Sequence, residues 1–204
     1  MIPTSDITGL ILAGGRGSRM GGVDKGLQMF NDVPMAMHAL MRLSPQVGHM
    51  LINANRNLAA YESFGVPVVV DSVPDFAGPL AGILAGLEQC QTPYLLTAPC
   101  DSPFVPVDLA PTLSKALVEA GARIAMPVTL EPDENGRPRR QVQPVFCLFD
   151  ATLADDLTVY LQQGGRKIET WTARHPCVEV VFDDAAAFAN INTLAELRQL
   201  AERR

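Results

Sequence analysis

The first apolar run of the chain, Ile7 to Leu12, opens directly into Leu12-Ala13-Gly14-Gly15-Arg16-Gly17-Ser18-Arg19-Met20-Gly21-Gly22-Val23-Asp24-Lys25. A short apolar run followed by glycines reads as a buried β-strand. The loop after it holds five glycines and three basic residues. Glycines let backbone N–H groups converge on an anion, because no Cβ blocks the approach. Arg16, Arg19 and Lys25 add positive charge where a polyphosphate would lie. An idle turn rarely combines this glycine density with three cations behind a buried first strand. The expectation is an α/β chain that handles a nucleotide.

Two familiar phosphate loops do not fit. A Walker A loop requires Lys and Ser/Thr after its last glycine, and Val23 and Asp24 follow Gly22. A dinucleotide fingerprint requires Gly-x-Gly-x-x-Gly, and Met20 stands in the place of the third glycine after Gly15 and Gly17.

Apolar runs then alternate with amphipathic segments. Segments 7–12, 50–52, 66–70, 94–97, 124–128, 145–148 and 178–182 read as strands, and 34–43, 58–64, 80–89, 109–120, 151–162, 167–173 and 193–203 as helices. This alternation implies one α/β domain with a mostly parallel central sheet and helices on both faces. The stretch Leu130–Gln141, with Pro132, Asn135-Gly136, Pro138 and three arginines, reads as loop. It is expected to divide a nucleotide-binding part, about 1–129, from a second-substrate part, about 130–204, within a single domain 1–204.

Ligands of open α/β sheets bind beyond the carboxyl ends of the strands. The glycine loop, Asn53, Asp71 and Asp101 each fall at such an end. Asp101 is the best candidate for chemistry. A carboxylate facing phosphates holds Mg²⁺ through one oxygen while the metal keeps several waters, although Asp before Ser102-Pro103 also favours a turn. Lys25 and Arg19 are expected to stabilise the α-phosphate and a departing pyrophosphate. Arg16 fits a solvated cation better.

Composition narrows the class. A chain of 204 residues, 48% hydrophobic, suits one domain with a sizeable core. A net charge of −6 argues against a general nucleic-acid binder, while the loop still concentrates positive charge locally. Cys90, Cys100, Cys147 and Cys177 form no Cys-x-x-Cys pair, so neither structural zinc nor a disulfide scaffold is expected. Cys100 lies beside a motif but has no neighbouring His to activate it. His38, His49 and His175 are scattered. No signal segment or membrane span is seen, and a cytoplasmic enzyme is expected, without membrane or nucleic-acid partners.

The loop motif Leu-Ala-Gly-Gly-x-x-x-Arg-Met-Gly-Gly-x-Asp-Lys resembles the signature of nucleotidyltransferases that mature the molybdenum cofactor. Asn53-Ala54-Asn55-Arg56, Gly78-Pro79-Leu80-Ala81-Gly82, Pro99-Cys100-Asp101-Ser102-Pro103 and Asn190-Ile191-Asn192-Thr193 extend the likeness over nearly the whole chain. The chain is most similar to the molybdenum cofactor guanylyltransferase family, the MobA type.

That resemblance implies a Rossmann-like nucleotidyltransferase fold, GTP and molybdopterin (or Mo-molybdopterin) as substrates, and Mg²⁺ as cofactor. It implies GTP-binding roles for Leu12, Ala13, Gly14, Gly15, Lys25, Asn53, Asp71, Pro79 and Asp101. The backbone around Leu12-Ala13-Gly14 and Pro79 would read part of the guanine edge. Gly78-Pro79-Leu80-Ala81-Gly82 marks the guanylyl-transferring branch, a choice that physics alone does not make. A second metal ligand is expected from Asn190 or Asn192. Molybdopterin is expected near Arg166, Lys167, Asn190 and Asn192, with Arg139 and Arg140 as further cations. Gly164-Gly165-Arg166-Lys167 leads into a helix, where N–H groups also hold phosphate. Gln143-Pro144 departs from the family's common His-Pro. Hand-over partners are implied as well: molybdoenzyme chaperones and a molybdenum-insertion protein. The alternatives are a sister enzyme using CTP, one with a sugar phosphate as acceptor, and a non-catalytic nucleotide-binding module. A glycosyltransferase would carry Asp-x-Asp, which Asp101-Ser102-Pro103 lacks.

Overall fold

The computed structural model describes residues 1–15, 24–73, 78–132, 136–191 and 196. In chain order its elements are β1 (Ile7–Leu12), a small hairpin of β2 (Met29–Phe30) and β3 (Val33–Pro34), α1 (Met35–Leu43), β4 (His49–Asn53), α2 (Leu58–Glu62), β5 (Val68–Val69) and α3 (Pro79–Gln89). There follow β6 (Tyr94–Pro99), α4 (Leu109–Ala120), β7 (Ile124–Pro132), β8 (Pro138–Val142), β9 (Leu148–Asp150), α5 (Ala154–Gln162), α6 (Ile168–Thr172) and β10 (Cys177–Phe182).

Strand β1 is buried at all six positions and is paired on both edges, in parallel with β4 and β6. A strand covered on both faces needs no polar alternation, so its sequence is nearly continuous in apolar residues. Among the described residues the main sheet has eight strands in the order β10-β7-β9-β6-β1-β4-β5, with β8 added on β7. The pairs β1–β4, β1–β6, β4–β5 and β7–β10 are parallel. The pairs made by β9 with β6 and β7, and by β8 with β7, are antiparallel. The expected α/β class, mostly parallel with helices on both faces, holds.

Each face carries its own core. Ile7 and Ile11 of β1 pack with Ala36, Ala39 and Leu43 of α1 and Leu109, Leu113 and Leu117 of α4. Leu10 and Leu12 pack on the other face with Leu80, Ile83, Leu84 and Leu87 of α3, Leu157 and Leu161 of α5 and Trp171 of α6. Each fully buried Leu or Ile stabilises the fold by about 1.5–3 kcal/mol relative to exposure. Gly82 lets α3 lie directly against the sheet, since a Cβ there would collide with Asn53 Oδ1 and Leu12 Cδ2.

Two expectations differ from the structure. The stretch 130–141 is not mainly loop: β7 runs on to Pro132 and β8 returns from Pro138, with Thr129 opposite Gln141 and Glu131 opposite Arg139. Its described side chains are exposed, so no burial pattern betrays the strands. The boundary expected at 129/130 therefore falls inside β7. The strand expected over 145–148 begins only at Leu148. Pro144-Val145-Phe146 form a turn closed by the Phe146 N–H to the Gln143 carbonyl at 3.0 Å, and the Thr97 hydroxyl donates to the Val145 carbonyl at 2.6 Å. The helix expected over 193–203 lies outside the described residues, Glu196 excepted. No described helix is long and apolar enough to cross a membrane.

Candidate active site

Strand register aligns the rim. Leu12 stands opposite both Asn53 and Pro99, and Asn53 opposite Val69. Two residues beyond these level positions come Gly14, Asn55, Asp71 and Asp101. Pairing continues one step past the strands, through Ala13 N–H to Asn53 O at 2.8 Å, Ala54 N–H to Val69 O at 3.0 Å and Cys100 N–H to Leu12 O at 3.0 Å. The four polar features therefore leave the sheet at one height, where an α/β sheet binds its ligands.

Lys25 begins a short 3-10 turn, Lys25–Leu27, at the far end of the glycine loop. Its ammonium donates to Asp101 Oδ2 at 3.2 Å, with the two side chains only 20% and 16% exposed. Shielding from water makes this pair stronger than a surface ion pair of the same length. Asp101 Oδ1 has no protein partner among the described residues, and the Asp101 backbone carbonyl accepts the Ile191 N–H at 2.8 Å. The Ser102 hydroxyl donates to Asn190 Oδ1 at 2.5 Å, so Asn190 is drawn beside Asp101. Arg19 and Asn192 lie outside the described residues, as does Arg16.

Asp71 is a fixed acceptor. Its Oδ1 accepts from Asn53 Nδ2 and its Oδ2 from Asn55 Nδ2, both at 2.8 Å, while its N–H donates to Asn55 Oδ1 at 2.9 Å. Asn53 is 2% exposed and also reaches the Val69 carbonyl at 3.3 Å. Its Nδ2 donors are therefore used inside the protein. Asn55 also donates to the Gly14 carbonyl at 3.3 Å, and Arg56 to the Gly15 carbonyl at 3.2 Å. Asn55 thus ties the strand-end loop to Asp71, and Arg56 holds the loop one residue further on, roles that sequence reading left unassigned. The signal was present in Asn53-x-Asn55, but the partner stands 16 residues away. Leu12 and Ala13 are buried, Gly14 is half-buried, and Gly15 and Pro79 are exposed.

The second half places its cations differently. β9 runs antiparallel to β6, so α5 returns toward the rim and brings Gly164–Lys167 to that side. Arg166 Nη1 donates to the carbonyls of Leu161 at 3.0 Å and Gly165 at 2.6 Å, closing the end of α5. Arg140 forms a two-point ion pair with Glu179 of β10. Lys167 and Arg139 are exposed, with no side-chain partner among the described residues. Gln143 donates to the buried Thr129 hydroxyl at 3.1 Å.

Burial, then the charges of Asp101 and Asp24, push the Cys100 thiol well above its ordinary range. A neutral, buried thiol is no nucleophile. Among the described residues no group of three or more His, Cys, Asp or Glu side chains is arranged to hold a metal. The Asp101 carboxylate, with its Oδ1 open among the described residues, nevertheless suits Mg²⁺, which binds through one or two carboxylates and substrate phosphates.

Residues 9–178 match the MobA-like NTP transferase domain. A molybdenum cofactor guanylyltransferase of Ralstonia nicotianae is 92% identical over 204 residues, the whole of both chains. The chain belongs to the molybdenum cofactor guanylyltransferase family. Among solved structures it is similar to the molybdopterin-guanine dinucleotide biosynthesis protein A of Archaeoglobus fulgidus, with TM-score 0.73, 24% identity, and coverage of 96% of this chain and 97% of that one. It is similar also to a 4-diphosphocytidyl-2C-methyl-D-erythritol synthase of Anaerococcus prevotii, with TM-score 0.75, 13% identity and coverage of 98% and 99%. These two likenesses show the fold alone. In this guanylyltransferase family member the rim is built from side chains that hold one another.

Proposed function

We propose that this chain transfers GMP from GTP to the terminal phosphate of molybdopterin, giving molybdopterin guanine dinucleotide and pyrophosphate. What supports the reading is the Lys25–Asp101 pair on the aligned rim, in a chain of this family. An oxygen of the molybdopterin phosphate attacks the α-phosphorus of GTP. The bond from that phosphorus to the bridging oxygen breaks in line, and pyrophosphate leaves with the electron pair. The attacking phosphate is already ionised, so no protein nucleophile is needed, in keeping with the inert Cys100.

Catalysis is then positioning and charge neutralisation. Lys25, with Arg19, neutralises charge as it grows on the leaving group. Asp101, with an amide of the Asn190/Asn192 pair, would hold Mg²⁺, which when bound offsets phosphate charge. Asp71, kept in place by Asn53 and Asn55, presents a carboxylate to the N1–H and N2–H₂ donors of a guanine edge. Leu12, Ala13, Gly14, Gly15 and Pro79 supply backbone around the base. The part after residue 129 takes molybdopterin, through Lys167 and the asparagine pair, with Arg166 shaping the loop before α6.

The test is pyrophosphate release by the purified protein with Mg²⁺ and molybdopterin, comparing GTP, CTP, ATP and UTP. Release with GTP alone, dependent on molybdopterin and abolished by EDTA, is expected. Release with CTP would move the chain to the cytidylyl branch. No release with any nucleotide would favour a sugar phosphate acceptor or a non-catalytic nucleotide-binding module.

A further inference from the structure

Beside Lys25 lies a cluster that the reaction leaves unused. Tyr61 of α2 is fully buried, and a buried phenol needs a partner. Its hydroxyl donates to Asp24 Oδ1 at 2.6 Å, and Asp24 Oδ2 accepts from Asn57 Nδ2 at 2.9 Å. Asn57 stands just before α2 with φ of 52°, a left-handed conformation that asparagine tolerates better than most residues. On the other side of Lys25, Gly26 lies against the same hydroxyl: a Cβ there would come within 2.5 Å of Tyr61 Oη and 3.2 Å of Cys100. Burial, reinforced by Cys100 and Asp24, raises the Tyr61 phenol well above the ordinary tyrosine range, so it stays a donor.

Asp24 and Lys25 are adjacent residues of opposite charge. A loose Asp24 carboxylate would compete with Asp101 and with substrate phosphates for the Lys25 ammonium. We infer that Tyr61 and Asn57 are positioning residues for Lys25: they pin the Asp24 carboxylate to α2 and so keep the Lys25 ammonium directed to Asp101 and the phosphates. The inference rests on the proposed reaction for the role of Lys25. Its geometry stands on two hydrogen bonds, a positive-φ asparagine and a glycine packed against the phenol.

Three variants separate this role from simple packing. Y61F keeps the ring and removes only the hydroxyl. N57G removes the amide and keeps a residue at ease with positive φ. D24N removes the competing charge. GTP affinity is measured by calorimetry with Mg²⁺, alongside kcat, KM for GTP and Tm. Y61F is expected to weaken GTP binding about tenfold and N57G about threefold, as for lost hydrogen bonds to a charged group. In the D24N background, adding Y61F is expected to change affinity by less than about twofold. Wild-type affinity and turnover in Y61F, or an equal loss in the D24N background, would overturn the inference. Should Y61F fail to fold, N57G and N57G/D24N make the same comparison. Failure of the reaction itself shows as no pyrophosphate from the wild type with GTP and molybdopterin, whereas failure of the anchor shows in the GTP affinities.

Discussion

The rim over β1, β4, β5 and β6 and the basic segments after β7 both offer polar groups to a ligand, but the protein uses them in opposite ways. On the first, Asn53, Asn55, Asp71, Lys25 and Asp101 are bound to one another and to the ends of the strands. On the second, Arg166 closes a helix end and Arg140 pairs with Glu179. In the proposed reaction the first region is pre-organised for the charge that develops, where fixed dipoles and charges act without rearrangement. The second spends Arg140 and Arg166 on its own shape. Sequence alone counts cations equally in both places. The structure ranks them by what they already hold.

The sharpest way to break this comparison is Asp101→Ala. Turnover should fall about 10³-fold, since both the proposed metal position and the partner of Lys25 are lost. Tm should move by less than about 3 °C, because the backbone carbonyl that accepts the Ile191 N–H is unaffected. Wild-type rates in a folded variant would refute the role of Asp101. Lys25→Ala should cost about 10²-fold in kcat/KM for GTP, read as both a higher KM and a lower kcat. Normal binding and turnover would move the phosphate contact elsewhere. Asn55→Ala comes third. It removes two hydrogen bonds from Asp71 and one from the Gly14 carbonyl. About tenfold in kcat/KM should be lost, mostly through KM, with Asn53 still holding one Asp71 oxygen. An unchanged KM would mean that Asp71 needs no such support.

How far the site was legible follows from the range of each contact. β1 and α4 fall where hydrophobic pattern places them, because each buries a regular face in the core. The rim was legible through one rule about strand ends, and the register bears it out. Asn53 was legible as a polar residue at a strand end, but its burial was not, because that follows from the approach of Gly82 and the position of Asp71. Tyr61 drew no separate reading within the expected helix 58–64, since its partner Asp24 is 37 residues distant. The end of β7 beyond Thr129 and β8 as far as Gln141 read as loop because strand residues exposed on both faces leave no period-2 burial in the sequence.

The second region makes its own predictions, with smaller effects. Asp156 of α5 accepts from Trp171 Nε1 at 2.8 Å and from His175 Nε2 at 2.9 Å, and so pins α6 to α5. Desolvation raises its pKa, but these hydrogen bonds outweigh it, and the carboxyl titrates below the ordinary aspartate value. Its stabilisation is therefore present above the unfolded value of about 3.9 and is lost as pH falls through the lower folded value. Asp156→Asn should lower Tm at pH 7, the gap to wild type should close as pH drops below that range, and kcat should stay unchanged. A gap constant with pH would place the effect in packing rather than in the carboxylate charge.

Arg140→Ala should do least, and that is its value. The Arg140–Glu179 pair joins side chains 50% and 47% exposed, a setting in which ion pairs contribute about 0–1 kcal/mol. If Arg140 belongs to the surface of β8 and β10, KM for molybdopterin should stay within about twofold of wild type. If instead its guanidinium leaves Glu179 to meet the acceptor phosphate, KM should rise about tenfold and the rise should shrink with added salt. Steady-state kinetics at two ionic strengths distinguish these outcomes. The second would mean that the acceptor half, too, keeps charge in reserve, and the contrast between the two regions would be one of timing rather than of use.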